Sequence, residues 1–388
     1  MVEIRSKQDC CGCRACYNIC PHNAISMRED EEGFIYPIID KEKCVHCGLC
    51  QKICPVINAK SNENHSKIET IAAYTKNVKA RMCSSSGGIF FELAQKILET
   101  KGVVIGAGYD ENFNVIHKII FHKEDLEELQ GSKYVQSDTK DTYKETKKLL
   151  EDGKRVLYVG TPCQIAGLKA YLKRDYEELY TCDLVCHGVP SPKVWEKYLD
   201  ENKKKEKIKE CYFRNKDKGW NVFSLKIIYE NDKYDRKTLD KDKFLQLFLR
   251  NYSLRPSCYH CQFSKFPRVA DISLGDFWRV ENKYTEFKDD KGTSLILINS
   301  EKGKQMFNWI KDNLYYRQDC DLEYAIKCNP CICGSVNEPI EREQFFKDLD
   351  SMTFEELSKK YLPKEKLYSK IYRKITMILS ALKKRIKI

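Results

Sequence analysis

Eight cysteines near the amino terminus fall into two copies of one spacing: Cys10-x2-Cys13-x2-Cys16-x3-Cys20-Pro21, then Cys44-x2-Cys47-x2-Cys50-x3-Cys54-Pro55. Thiolates in such runs hold bacterial-type iron–sulfur cubes, with the fourth cysteine of each run reaching across to the other cluster. Cys10, Cys13, Cys16 and Cys54 are therefore expected to hold one [4Fe-4S] cluster, and Cys20, Cys44, Cys47 and Cys50 the second. Each proline turns the chain away after the last thiolate, because it cannot continue a helix. Zinc knuckles or a disulfide framework are the competing readings. Zinc sites, however, show cysteine pairs separated by a longer loop, not three close cysteines and a fourth before proline. A segment of about fifty residues buries little apolar surface, so clusters would staple it. Cys11 lies outside the pattern and reads as a bystander thiol.

The chain has 388 residues and 20 cysteines, far more than a ferredoxin needs, with room for two further domains. After a polar stretch over 56–69, helical periodicity at 89–98 leads to a strand at 103–106, and another apolar, β-branched run covers 114–122. A polar helix ends at Gly153 and is followed by a buried-type strand at 156–159. Further strands are expected at 180–185, 222–229, 271–274 and 294–298, with helices from Ser191, near 303–313 and over 342–349. Helices alternating with short apolar strands argue for an α/β region with a mixed sheet.

Four loops in that region combine Gly, Ser, Pro and Cys at strand ends or helix starts. The first is Cys83-Ser84-Ser85-Ser86-Gly87-Gly88, whose free amides could bind an anion or simply cap the following helix. The second, Gln130 to Ser137, carries Lys133, which could stabilise negative charge on a reduced flavin or lie on the surface. The third is Gly160-Thr161-Pro162-Cys163-Gln164, at a strand end where α/β sheets bind ligands. Its Cys163 is a candidate thiolate nucleophile that lacks a histidine partner recognisable from sequence. The fourth, Cys182 to Pro192, joins a cysteine pair, Cys182 and Cys186, to a His-Gly turn and a proline-led helix.

Together with Arg255-Pro256-Ser257-Cys258-Tyr259-His260-Cys261 and Ala270-Asp271-Ile272-Ser273-Leu274-Gly275-Asp276-Phe277-Trp278, these loops resemble the beta subunits of coenzyme F420-reducing hydrogenases and dehydrogenases. The resemblance runs from about Cys10 to about Leu349, in the form with an amino-terminal two-cluster ferredoxin. It implies a flavoprotein, with FAD held by Ser86, Gly87, Gly88, Ser132, Lys133, Tyr134, Thr161, Pro162, Cys163 and Gln164. It also implies a third [4Fe-4S] cluster near the flavin, on Cys182, Cys186, Cys258 and Cys261, for which a structural zinc site is the competing reading. The implied layout is an α+β and α/β multidomain chain: a two-cluster ferredoxin domain over 1–58, a linker over 59–68, an amino-terminal flavoprotein domain over 69–175, a carboxy-terminal beta-subunit domain over 176–350, and a basic amphipathic helical tail over 351–388. Cys328, Cys331 and Cys333 depart from the family pattern and read as free thiols, with a further metal site as the sharper alternative.

These features favour an iron–sulfur flavoprotein oxidoreductase that passes electrons between a hydride carrier, F420 or a nicotinamide, and a redox partner protein or subunit. The rival class is a non-enzymatic iron–sulfur adaptor docked on another enzyme. No catalytic side chain is legible. The net charge of +11 is concentrated at 363–388, where nine Lys or Arg face Glu365 alone, so the near-balanced body argues against nucleic-acid binding. In that tail Leu367, Ile371, Ile375, Ile378, Leu379, Leu382 and Ile386 recur at helical spacing among basic residues, as in a helix lying on an anionic membrane or packing on a partner. Without a charged-then-apolar leader or a long apolar stretch, the expectation is a reducing cytoplasm, with contact at the inner membrane face through the tail.

Overall fold

A computed structural model describes residues 6–59, 68–203 and 206–363. At the amino terminus the antiparallel pair β1 (Ile25–Glu29) and β2 (Ile35–Ile39) is flanked by two short helices, Ala15–Ile19 and Leu49–Lys52. Each helix follows one left-handed residue inside a cysteine run, Arg14 for the first and Gly48 for the second.

The body is built on an eight-stranded sheet. Its strands are β3 (Glu69–Thr75), β4 (Val103–Tyr109), β5 (Val115–Ile120), β6 (Val156–Gly160) and β7 (Leu179–Leu184), joined later by β11, β12 and β13. Between them come β8 (Ile208–Asn215), β9 (Ser224–Tyr229) and β10 (Tyr234–Thr238), an antiparallel three-stranded sheet. Then β11 (Ile272–Asp276), β12 (Ser294–Ile298) and β13 (Leu314–Arg317) return to the large sheet, whose order is β13-β3-β12-β11-β7-β6-β4-β5. Its centre, β4, β6, β7 and β11, is parallel, and antiparallel strands complete both edges. Strands from 69–175 and from 176–350 thus share one sheet.

Alternation along each strand sorts side chains into two layers. Val104, Leu157, Val159, Tyr180 and Cys182 face the helices Ile89–Glu99 and Glu301–Ile310. Val103, Ile105, Val156, Tyr158 and Leu179 face the helices Thr142–Glu151 and Pro162–Leu172, with Cys13 and Ile53 of the amino-terminal domain in the same layer. The expected strands at 103–106, 114–122, 156–159, 180–185, 271–274 and 294–298 all form, within a few residues. β3 is the main element beyond them: its Ile-Ala-Ala core is buried on both faces, so it lacks the alternation that marks a strand.

The three-stranded sheet packs on Trp195, Phe244, Phe345 and Phe354. The helix Phe354–Tyr361, inside the stretch expected to be tail, buries Phe354 and Leu357 in that core. The basic amphipathic segment from 364 onward lies outside the described residues.

Candidate redox centres

Cys10, Cys13, Cys16 and Cys54 line one cavity of about 390 Å³. Cys20, Cys44, Cys47 and Cys50 line a second, smaller one. Each cavity therefore mixes the two runs, because the helices Ala15–Ile19 and Leu49–Lys52 pack on each other and carry each run's third cysteine past the other run's fourth. Burial, then the neighbouring Cys10 and Cys54, push the Cys16 thiol far up. Cys54 is raised by burial too. Such crowding is unfavourable for bare thiolates and is relieved when iron supplies positive charge. Among the described residues no three Cys, His, Asp or Glu side chains close on a single-ion position.

The amino-terminal domain is clamped to the body. Arg255, fully buried, donates from Nε to the Cys10 carbonyl at 2.7 Å, from Nη1 to Gln136 Oε1 at 2.9 Å and from Nη2 to the Ile35 carbonyl at 3.0 Å. Gly12, at φ 69°, sits so close that a Cβ would lie 2.6 Å from the Gln136 amide nitrogen. A glycine is needed there for contact with the body, as well as for the left-handed turn. Arg342 forms a buried bidentate pair with Glu32, at 2.9 and 2.6 Å. Gly167 in the helix Pro162–Leu172 leaves no room for a Cβ beside Cys13 Sγ, 2.9 Å away.

That helix brings a third group of thiols together. Cys163 opens it directly after β6, and Cys186 follows the end of the adjacent parallel strand β7. Cys258 and Cys261 arrive on the loop after Leu254, where the Val189 amide donates to Cys258 Sγ at 3.4 Å. Burial raises the Cys186 thiol, and Cys258, Cys163 and Cys261 add to it. Cys258 is pushed up to about 12, by burial first and then by Cys163 and Cys261. Cys163 is raised by its hydrogen bond with Cys11 and by burial. The fourth member of this group is thus Cys163, not Cys182. Cys182 is fully buried within β7 and faces the Ile89–Glu99 and Glu301–Ile310 layer, because strand alternation turns it away from the strand's carboxyl end. Cys11 bridges the group to the first cavity, touching both Cys13 and Cys163.

The first two expected flavin loops meet at Ser85 and Ser132, and the third meets the far end of the second, where Gln164 Nε2 donates to the Ser137 carbonyl at 3.2 Å. The Ser132 amide and hydroxyl both donate to Ser85 Oγ, at 2.6 and 2.8 Å, and Gln130 Nε2 donates to Ser84 Oγ at 2.9 Å. Beside them opens a cavity of about 760 Å³ lined by Cys83, Gly131, Ser132, Lys133 and Arg214 among others, within the range of cofactor pockets. Gly131, at φ 83°, faces open space. Lys133 donates to the carbonyls of Glu128 and Gln130, at 3.0 and 3.1 Å; burial, with Lys118 nearby, pushes its ammonium down to about 7. Ser86, Gly87 and Gly88 instead serve the fold. The Gly87 amide donates to Ser294 Oγ at 2.9 Å, a Cβ there would lie 2.4 Å from the Ala73 carbonyl, and Gly88 caps the next helix. Thr161, Pro162 and Gln164 form the capped start of the thiol-bearing helix, with Gln164 Oε1 accepting from the Thr161 amide at 2.9 Å.

Tyr134 connects the cavity to the third thiol group. It stacks on Phe248, with ring centres 4.9 Å apart, and Cys258 packs on the same cluster of Phe248, Leu254 and Tyr259. Its hydroxyl accepts from Arg214 Nη1 at 2.9 Å, while Arg214 also holds Asp276. Arg214 was not legible from sequence: it lies mid-strand in β8, and only the fold buries it with an Nε that has no partner among the described residues. Of the carboxy-terminal cysteines, Cys331 Sγ approaches His187 Nδ1 at 3.6 Å, Cys328 lies near Tyr324, and Cys333 is exposed.

Thiol-lined cavities in a small domain clamped on an α/β sheet define an iron–sulfur electron-transfer protein. Residues 9–58 match the 4Fe-4S dicluster domain. Residues 153–319 match the family described as the carboxy terminus of the coenzyme F420 hydrogenase/dehydrogenase beta subunit. The chain is thus similar to that beta-subunit family over 153–319 and carries a dicluster domain in front of that region. Among solved structures it is similar to a chain of the F420-reducing [NiFe] hydrogenase complex from Methanosarcina barkeri, at 19% identity and a TM-score of 0.48 over 68% of this chain and 88% of that one. Comparison with curated proteins gives no match. No helix among the described residues is long and apolar enough to cross a membrane.

Proposed function

We propose that the protein is a flavin-dependent iron–sulfur oxidoreductase that exchanges electrons between a hydride-carrying substrate, F420 or a nicotinamide, and a partner protein or subunit. The observation that carries this reading is continuity. The cavity at Ser132 and Lys133 leads through Tyr134 and the Phe248, Leu254 and Tyr259 cluster to the thiols of Cys163, Cys186, Cys258 and Cys261, and Cys11 links these to the first of the two amino-terminal cavities. Cys10, Cys13, Cys16 and Cys54 would hold one cube, Cys20, Cys44, Cys47 and Cys50 a second, and Cys163, Cys186, Cys258 and Cys261 a third. A flavin takes up a hydride as an electron pair and releases electrons singly, whereas each cube carries one electron at a time.

The chain's own residues supply position and electrostatics. Lys133, poised near neutrality, can hold or release a proton at the cavity wall. Arg214 fixes the Tyr134 ring between cavity and thiols through its hydroxyl. Arg255 holds the Cys10 carbonyl and so sets the spacing of the amino-terminal cavity from the body.

The test is anaerobic purification with iron and flavin quantified per chain, followed by turnover with reduced F420, NADH, NADPH and reduced ferredoxin in parallel. Roughly twelve iron atoms, four per cube, and one flavin are expected. Iron with no flavin and no turnover would leave the adaptor reading.

A further inference from the structure

A groove of about 790 Å³ runs between the helix Leu49–Lys52, one face of the helix Pro162–Leu172, and the loop from Gln262 to Val269. We propose that this groove is the docking site for a small acidic one-electron carrier protein, an inference that rests on the electron-transfer reading above. Its cations are Lys52, Lys173 and Lys265, all exposed. Among the described residues no Asp or Glu lines it. In a protein whose described surface is otherwise laced with ion pairs, these three lysines have no carboxylate partner among those recorded.

The groove's position is what such a carrier needs. Cys54, on its floor, also lines the first thiol cavity, and Leu49 also lines the second. Gln262 lies in both the groove and the first cavity and directly follows Cys261 of the third thiol group. The groove thus shares Cys54 with the first thiol group and Leu49 with the lining of the second, and reaches the residue next to Cys261 of the third. Ala166 and Ala170, one helical turn apart, keep that wall low, and their row continues into Lys173. The opposite wall is held rigidly, because Arg268 is buried in an ion pair with Asp183 at 2.9 Å and donates to the Ile332 and Leu184 carbonyls. Electron-transfer encounters need only a small interface, below about 1,200 Å², and rely on charge to find it.

The experiment titrates the full-length, iron-loaded protein with an acidic bacterial two-cluster ferredoxin and, as a cationic control, with cytochrome c, at several ionic strengths. Binding is read by calorimetry. Ferredoxin should bind, weaken steeply with salt, and lose about tenfold or more in affinity in the Lys52→Glu/Lys173→Glu/Lys265→Glu variant. The milder Lys→Gln triple should lose less, and both variants should keep wild-type iron content and circular dichroism. Unchanged ferredoxin affinity and salt slope in the charge-reversed protein would overturn the proposal. Tighter binding of cytochrome c to the wild type would overturn it as well. Because binding is measured without turnover, failure of the docking site is distinguishable from failure of the enzymatic reading.

Discussion

In the amino-terminal domain, every thiol that lines a cavity comes from one short stretch, residues 10–54, whereas the third group draws Cys163, Cys186, Cys258 and Cys261 from loops spread through the body. The first arrangement is a property of local spacing. The second exists only because β6 and β7 lie side by side and in parallel, so that whatever follows their carboxyl ends is brought together. The contrast falls between Cys182 and Cys163. Cys182 shares a short motif with Cys186 yet sits in the core, and Cys163 shares no motif with it yet stands beside it.

Cysteine substitutions test this contrast most strongly. Cys54→Ser should remove or convert one amino-terminal cluster, and Cys163→Ser should lower iron by about four atoms per chain. Cys182→Ser should leave iron content at the wild-type level. Iron analysis with low-temperature electron paramagnetic resonance decides it; loss of iron from Cys182→Ser but not from Cys163→Ser would return the body to the ligand set its sequence motifs suggest.

The join between the two regions comes next in size. Glu32→Gln would leave the Arg342 guanidinium buried without its counter-charge, at a cost of about 3 kcal/mol. Chemical denaturation should show it, and a neutral result would mean that Arg255 and the Arg14–Asp138 ion pair hold the domains without it. Within the body, His117 is buried with Nδ1 2.7 Å from Ser137 Oγ and Nε2 3.1 Å from the Val159 carbonyl, and burial lowers it to about 4. Because the unfolded chain takes up the proton first, stability should fall as pH drops from about 6.5 towards 4, by about 3 kcal/mol. His117→Gln should flatten that acid limb in thermal melts. The smallest effect is at Gly131, where alanine would meet no atoms but would strain a left-handed backbone, costing about 1 kcal/mol. Flavin retention that falls far more than stability in Gly131→Ala would sharpen the assignment of the cavity. Equal losses would count against it.

Much of the fold was legible because buried strands and amphipathic helices carry their periods in the chain: β4, β6, β7, β11 and β12 are all short apolar runs between turn residues. β3 was not, since a strand buried on both faces has no alternation to read. Among the loops expected to hold a flavin, Ser132 and Lys133 line a cavity. The glycines at 87 and 88 did not, because a glycine demanded by a neighbouring strand looks the same in sequence as one demanded by a ligand.

Sequence by itself determined the two cysteine runs, the class of metal they suit and the family resemblance, since ligand type and spacing are written along the backbone. Only the tertiary structure decided that Cys163, and not Cys182, stands beside Cys186, that Cys11 lies between two thiol groups, and that three lysines without a recorded carboxylate partner among the described residues share one groove with Cys54. Those facts depend on which residues distant strands and helices bring within contact, and on which face of a strand a side chain takes, and neither is encoded at the residue itself.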